Sequence, residues 1–267
     1  MEARAKKVGV PNTIKYLFPQ NQGVNATDAP KAAALGLGAN LVADVHKGST
    51  GGVSSFHDML ESNNTGAHGW GAINLETNCG DHTFRRALTE AADLNTFANE
   101  GSPRLWGRAG SFCMERSGYQ EAGANDQGII FFLPNMTWGQ PPFYSRQMIY
   151  QTWQPQAVAV TSDAPLPQSP DIESRFSAQT SADGKTLVVR YVNYGAAQAL
   201  KVNVKGMAAE LAATAKVRTY ANDDLTAVNT PAEPVKVVPV VTTVPTSSLA
   251  KLAVPKQSFI IIEMKTA

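Results

Sequence analysis

Cysteine is nearly absent from this chain. Cys79 and Cys113 are the two thiols in 267 residues, too few for a disulfide scaffold or a zinc cluster. Both fall near the ends of segments read below as strands, and we read them as buried, inert thiols in preference to a pair. An excess of charge is missing too. Lys and Arg number 23 against 22 Asp and Glu, a formal net charge of +1. No global field therefore draws the chain to nucleic acid or to an anionic membrane. Long apolar runs are absent, none approaching the roughly 20 residues that span a bilayer. The opening Met1-Glu-Ala-Arg-Ala-Lys-Lys7 has no apolar stretch after its charges and does not read as a signal peptide. His57, His68 and His82 lack metal-ligand spacing. Gly36-Leu37-Gly38 and Gly51-Gly52 lack the lysine or glycine pattern of a phosphate loop. No metal and no cofactor is expected.

What is present suits a globular chain with a sizeable core: 43% hydrophobic and 17% charged residues. Three glycosylation-type triplets occur, Asn25-Ala26-Thr27, Asn63-Asn64-Thr65 and Asn135-Met136-Thr137. They hint at a secreted origin but leave the compartment open.

The composition changes near residue 155. Before it, strand-like and helix-like runs alternate. Residues 2–8 read as the tail of a helix and 13–18 as a strand. A helix is expected over 30–37, a strand over 41–45, a short helix over 54–60 and a strand over 70–75. Phe84, Ala87, Leu88, Ala91, Leu94 and Ala98 recur at helical spacing. Residues 106–114 and 128–133 read as extended, and 143–153 as an amphipathic helix. Alternation of this kind argues for βα units around a parallel sheet.

After Gln156 the residues become β-branched, with short alternating runs. Pro165, Pro167 and Pro170 mark a linker-like entry. Ala182-Asp183-Gly184 separates 175–181 from 186–193 as a hairpin turn would. Further strands are expected over 202–204, 215–220, 235–244 and 259–264. The fold class is thus α/β plus all-β: a partial (β/α)8-type barrel over 1–155, followed by an antiparallel β-sandwich over 156–267.

Gly71-Ala-Ile-Asn-Leu-Glu-Thr-Asn-Cys79 carries the sharpest functional signal. A short apolar run, read as a buried parallel strand, ends on Glu76 and is broken by Thr77, Asn78 and Gly80. A carboxylate at the carboxyl end of a strand feeding a helix lies where α/β barrels place catalytic groups. The competing reading is a strand-end Glu that caps the next helix or faces water. Only about four βα units are legible, whereas a closed barrel needs eight. An open half-barrel would expose two sheet edges and an apolar face. Either this is another α/β architecture or the chain lacks the first part of its barrel; entry at what reads as the end of a helix favours the second, and an exposed half-barrel calls for a covering partner such as a second copy.

The order of motifs resembles the carboxyl-terminal part of plant-like α-L-arabinofuranosidases of glycoside hydrolase family 51. Leu41-Val-Ala-Asp-Val-His46 resembles the family's sixth barrel strand, which ends in Asp-x-His. Ala72-Ile-Asn-Leu-Glu76, followed by Leu88-Thr-Glu-Ala-Ala-Asp-Leu94, resembles the seventh strand with its nucleophilic Glu and the helix after it. Gly128-Ile-Ile-Phe-Phe132 through Trp138-Gly-Gln-Pro-Pro-Phe-Tyr144 resembles the region leading into the last helix. Val188-Val-Arg-Tyr-Val-Asn-Tyr194 and Ser258-Phe-Ile-Ile-Ile-Glu263 resemble the terminal sandwich. Two departures bear on the sugar: Thr77 stands where a Tyr usually follows the nucleophile, and Lys47-Gly48-Ser49 follows His46 in place of aromatic residues.

The resemblance implies a retaining hydrolase that removes terminal α-L-arabinofuranosyl groups from polysaccharides. Retention needs two carboxyl groups roughly 5–5.5 Å apart. Glu76 is the expected nucleophile, kept ionised by donors among Asn74, Thr77, Asn78 and His46. His46, Asp44 and Asn74 are expected to bind substrate. Asp44 shares a strand face with His46 and would orient it. Trp138 and Tyr144 are candidates to stack on a sugar ring, ordinary loop packing being the alternative for both. Similar enzymes carry the acid/base in an Asn-Glu pair that closes the fourth barrel strand. Here the one such pair, Asn99-Glu100, follows a helix. Glu115 is closer to barrel geometry, but its neighbour Arg116 makes a surface ion pair equally reasonable. Activity from these residues is therefore expected to be weak or absent. The alternatives are a glycosidase on xylan or glucan, and a non-catalytic carbohydrate-binding remnant.

Overall fold

The computed structural model describes residues 16–18, 31, 34, 41–44, 71–74, 81–99, 105–108, 114–116, 128–163, 175–207 and 209–267. The expected helices over 2–8 and 54–60, the prolines at 165, 167 and 170, both cysteines, and the triplets at Asn25 and Asn63 lie outside the described residues. The chain divides into two compact units: residues 1–77 with 102–110, and residues 78–101 with 111–267.

Among the described residues the first unit has four short strands, β1 (Tyr16–Phe18), β2 (Leu41–Asp44), β3 (Gly71–Asn74) and β4 (Leu105–Arg108). They pair in chain order, and every pairing is parallel.

The second unit is mostly sheet. A three-stranded sheet joins β5 (Met114–Arg116), β6 (Ile130–Leu133) and β7 (Met136–Gly139). β5 is parallel to β6, and β6 turns through Pro134-Asn135 into antiparallel β7. The run expected over 106–114 is thus two strands in two different sheets, not one.

The larger sheet has six antiparallel strands in the order β13-β12-β15-β10-β9-β8. They are β8 (Gln156–Val158), β9 (Phe176–Thr180), β10 (Thr186–Asn193), β12 (Leu211–Ala221), β13 (Val240–Pro245) and β15 (Ser258–Thr266). The expected hairpin is present between β9 and β10, with Gly184 at φ 70 in its turn. That left-handed conformation is cheap for glycine and strained for other residues.

Period-two alternation gives the six-stranded sheet two apolar faces. Val188 and Val192 of β10, Phe259 and Ile261 of β15 and Tyr220 of β12 face one core. Leu187 and Tyr191, Ile260, Ile262 and Met264, and Ala215 and Val217 face the other. Two helices cover the first face: α1 (Phe84–Asn99) and α2 (Pro141–Gln151). Over the second lie a 3-10 turn (Thr246–Lys251) and the two-stranded sheet of β11 (Gln198–Leu200) and β14 (Leu252–Val254).

α1 starts at Thr83, whose hydroxyl accepts from the Arg86 amide at 3.4 Å. The next two free amides, of Phe84 and Arg85, donate to the carbonyls of Ala227 and Leu225 at 2.9 and 2.8 Å. The helix entry is therefore docked on a sandwich loop. α2 begins with Pro141 and Pro142, where a missing N–H costs nothing.

Two expected strands are corrected. Residues 202–204 form no strand; the Val202 amide donates to the Leu249 carbonyl at 2.9 Å, and both Val side chains pack on the second core as irregular chain. Residues 235–239 precede β13 rather than belonging to it, because the Val237 amide donates 2.7 Å to the Asn229 side chain instead of to a strand.

Candidate functional site

Asp44 and Asn74 end adjacent parallel strands. β2 and β3 pair with Val42 opposite Gly71, Ala43 opposite Ala72 and Asp44 opposite Ile73. Parallel neighbours lie about 4.8 Å apart, so the two residues stand side by side at the carboxyl edge, one register step out of line. Asn74 in turn is opposite Arg108, the last residue of β4. The backbone thus places Asp44, Asn74 and Arg108 along one sheet edge. Arg108 was not singled out from the sequence; its signal would have been a cation closing the run Leu105-Trp-Gly-Arg108. His46 and Glu76 follow their strands by two residues each and lie outside the described residues, as does Glu100.

Glu115 is the middle residue of β5 and pairs with Phe131 of β6. Asn99 is the last residue of α1, and its amide donates to the Phe176 carbonyl at 2.5 Å. That bond fastens the end of α1 to β9.

The two candidate aromatics belong to the second unit. Trp138 is 4% exposed. Its indole N–H donates to the Asn229 carbonyl at 3.2 Å, and its ring meets Phe131 edge-on with centroids 6.0 Å apart. These are packing contacts. Tyr144 is partly buried on α2, edge-on to Phe143 at 5.2 Å and to Tyr220 at 6.3 Å. Burial raises its phenol pKa above the ordinary value.

Three polar arrangements in this unit were not singled out from the sequence. Glu90 of α1 accepts from Arg86 Nη2 at 2.6 Å and from Arg146 Nε of α2 at 3.1 Å. Arg190 of β10 donates to the Gln179 side chain at 2.7 Å and to the carbonyl of Thr152, the C-cap of α2, at 2.9 Å. A cation there complements the negative end of the helix dipole. Burial lowers the Arg190 pKa to about 10, which keeps it charged at neutral pH. Third, Asn229 ties its loop to the start of α2. Its side chain donates to the Gly139 carbonyl at 2.8 Å and to the Val237 carbonyl at 3.2 Å, and it accepts the Val237 amide at 2.7 Å. Its backbone exchanges two bonds with the Gln140 side chain, at 3.0 and 3.2 Å.

The described residues form a short all-parallel sheet and a second, mostly sheet unit whose six-stranded sheet carries two helices on one face. The chain belongs to the family of the alpha-L-arabinofuranosidase C-terminal domain, whose model matches residues 124–258, half of the chain. Solved structures of similar fold include the alpha-L-arabinofuranosidase of Thermotoga maritima, solved as an arabinose complex. It is 16% identical at a TM-score of 0.69, with 99% of this chain and 60% of that one covered. The GH51 enzyme of Thermotoga petrophila is 16% identical at 0.66, covering 97% and 59%. The family 51 enzyme AbfB of Bifidobacterium longum is 14% identical at 0.65, covering 98% and 61%. The chain spans about 60% of the length of these structures. No curated protein sequence matches it.

Proposed function

We propose that this chain is the carboxyl-terminal part of a retaining glycoside hydrolase acting on terminal α-L-arabinofuranosyl groups, with Glu76 as nucleophile. The observation that carries the reading is membership of the arabinofuranosidase C-terminal family over residues 124–258. The parallel sheet of the first unit supports it, because its carboxyl edge brings Asp44 and Asn74 onto neighbouring strand ends two residues before His46 and Glu76. In this reading the sheet is part of a (β/α)8-type barrel and residues 156–267 are an accessory sandwich. Asp44 orients His46, and Asn74 and His46 hydrogen-bond the sugar and keep Glu76 ionised. Trp138 and Tyr144 belong to the second unit, where their rings meet Phe131 and Phe143 edge-on, and the reading does not depend on either.

Double displacement would run through attack of the Glu76 carboxylate on the anomeric carbon, followed by hydrolysis of the glycosyl ester. Asp44, the carboxylate at the neighbouring strand end, is assigned in this reading to orienting His46 and not to proton transfer, so the chain alone is expected to turn over weakly. A second reading, a carbohydrate-binding module without catalysis, is favoured by the family match lying wholly after residue 123.

A chromogenic α-L-arabinofuranoside separates the readings. Turnover by the native chain that Glu76→Ala abolishes supports the nucleophile; turnover that survives in Glu76→Ala refutes it. Binding to arabinan with no turnover in either protein supports the second reading.

A further inference from the structure

Of the three Asn-x-Thr triplets, Asn135-Met136-Thr137 lies in described structure, at the tip of the β6–β7 hairpin. Asn135 occupies the second position of the two-residue turn after Leu133, and both Asn135 and Thr137 are exposed. The hairpin also has two different sides. Phe131 and Trp138 are paired across it and buried, forming the inner side. Phe132 and Thr137 are paired on the outer side, where Phe132 is half-buried and Thr137 exposed. Paired side chains on one face lie about 4.5–5.5 Å apart at Cβ. An apolar ring is therefore held beside the triplet's threonine, next to the turn that carries the asparagine. Phe132 belongs to neither buried cluster among the described residues, its other cross-strand neighbour is Arg116 of β5, and the C–H face of a pyranose is the kind of surface that would cover it.

We propose that Asn135 is the acceptor of an N-linked oligosaccharide and that the outer face of Phe132 packs against its first sugar. The co-reactant is a lipid-diphosphate-linked oligosaccharide supplied by a secretory pathway. Asn135 Nδ2 forms a bond to the anomeric carbon. The bond from that carbon to the diphosphate oxygen breaks, and the lipid diphosphate leaves with the electron pair. The amide gives up one proton to the transferase. The Thr137 hydroxyl is the recognition group of the triplet.

The test is the full chain made behind a cleavable secretion leader in a eukaryotic host, or translated into microsomes if secretion fails. Tryptic cleavage yields one peptide, residues 117–146, in which Asn135 belongs to the one such triplet. The expected result is a glycan on that peptide, lost in Asn135→Gln and Thr137→Ala, and replaced by Asp at 135 after amidase release. Recovery of the peptide unmodified from translocated protein overturns the proposal. For Phe132, the glycosylated protein is expected to melt about 2–4 °C above its deglycosylated form, and Phe132→Ala is expected to erase that difference. An equal gap in Phe132→Ala, or no gap in the native chain, overturns the packing role.

Discussion

Arg146 of α2 meets Glu90 of α1 in the interior, with Nε 3.1 Å from Oε2 and residue exposures of 1% and 0%. The same carboxylate takes Arg86 Nη2 at 2.6 Å, so one anion serves two guanidinium groups. Buried pairs of this kind break even at best against an apolar isostere, yet losing one partner is costly. Glu90→Gln is expected to destabilise the protein by about 3–5 kcal/mol, read as a shift in the urea midpoint at unchanged slope. A loss below about 1 kcal/mol would mean that solvent screens the pair as at a surface.

Tyr220 sets an alkaline limit. Burial, reinforced by the nearby Tyr144, raises its phenol pKa well above the ordinary value. The phenol donates to the Pro141 carbonyl at 3.1 Å. The unfolded chain loses this proton near pH 10 while the folded chain retains it, so stability falls as pH rises past 10. Tyr144 and Tyr191 are shifted the same way by burial. Arg190 acts oppositely. Its folded pKa of about 10 means that the burial cost of its charge is relieved above that pH. Tyr220→Phe is expected to lessen the alkaline slope by up to about 1.4 kcal/mol per pH unit, measured by urea unfolding between pH 9.5 and 11. An unchanged slope would place the effect elsewhere.

Arg190→Lys tests the helix-end fork. A lysine keeps the charge but cannot donate to Gln179 and the Thr152 carbonyl with the same planar geometry. The expected loss is about 2–3 kcal/mol. Faster hydrogen exchange in the last turn of α2 should accompany it; protection equal to that of the native chain would argue against the capping role.

Asn229→Ala should free the loop that the α1 amides and the Gln140 side chain rest on. It removes the acceptor of the Val237 amide and the donor to the Gly139 and Val237 carbonyls. Each buried group left unpaired costs about 1–3 kcal/mol. Hydrogen exchange at Val237 is expected to accelerate at least tenfold, and a protected Val237 amide in the variant would contradict this account.

Gly139→Ala should be poorly tolerated for a steric reason. A Cβ there would fall onto Phe143 Cδ1 and 2.9 Å from its Cγ. The ring is already edge-on to Tyr144, so relief means displacing a packed pair. Overpacking of this size costs about 1–3 kcal/mol, and a melting temperature equal to that of the native chain would show that the ring can swing away.

Local pattern alone determined much of the chain's organisation. The spacing of Phe84, Ala87, Leu88, Ala91, Leu94 and Ala98 marks a helix face, and all six are buried on α1. Alternation through Leu187–Val192 and Ile260–Met264, with glycine at 184, marks the central strands and their hairpin. These features repeat every two or 3.6 residues and need no distant partner to be read. The tertiary structure decided what depends on residues far apart in the chain. Asp44 and Asn74 become edge neighbours through β2–β3 pairing, Glu90 finds Arg146, and Asn229 closes on Gly139 and Gln140. Val202–Val204 has the composition of a strand, yet its backbone bonds to the 3-10 turn. A buried hydrogen-bonding group must find a partner wherever the fold supplies one, and periodicity holds no record of which residue that will be.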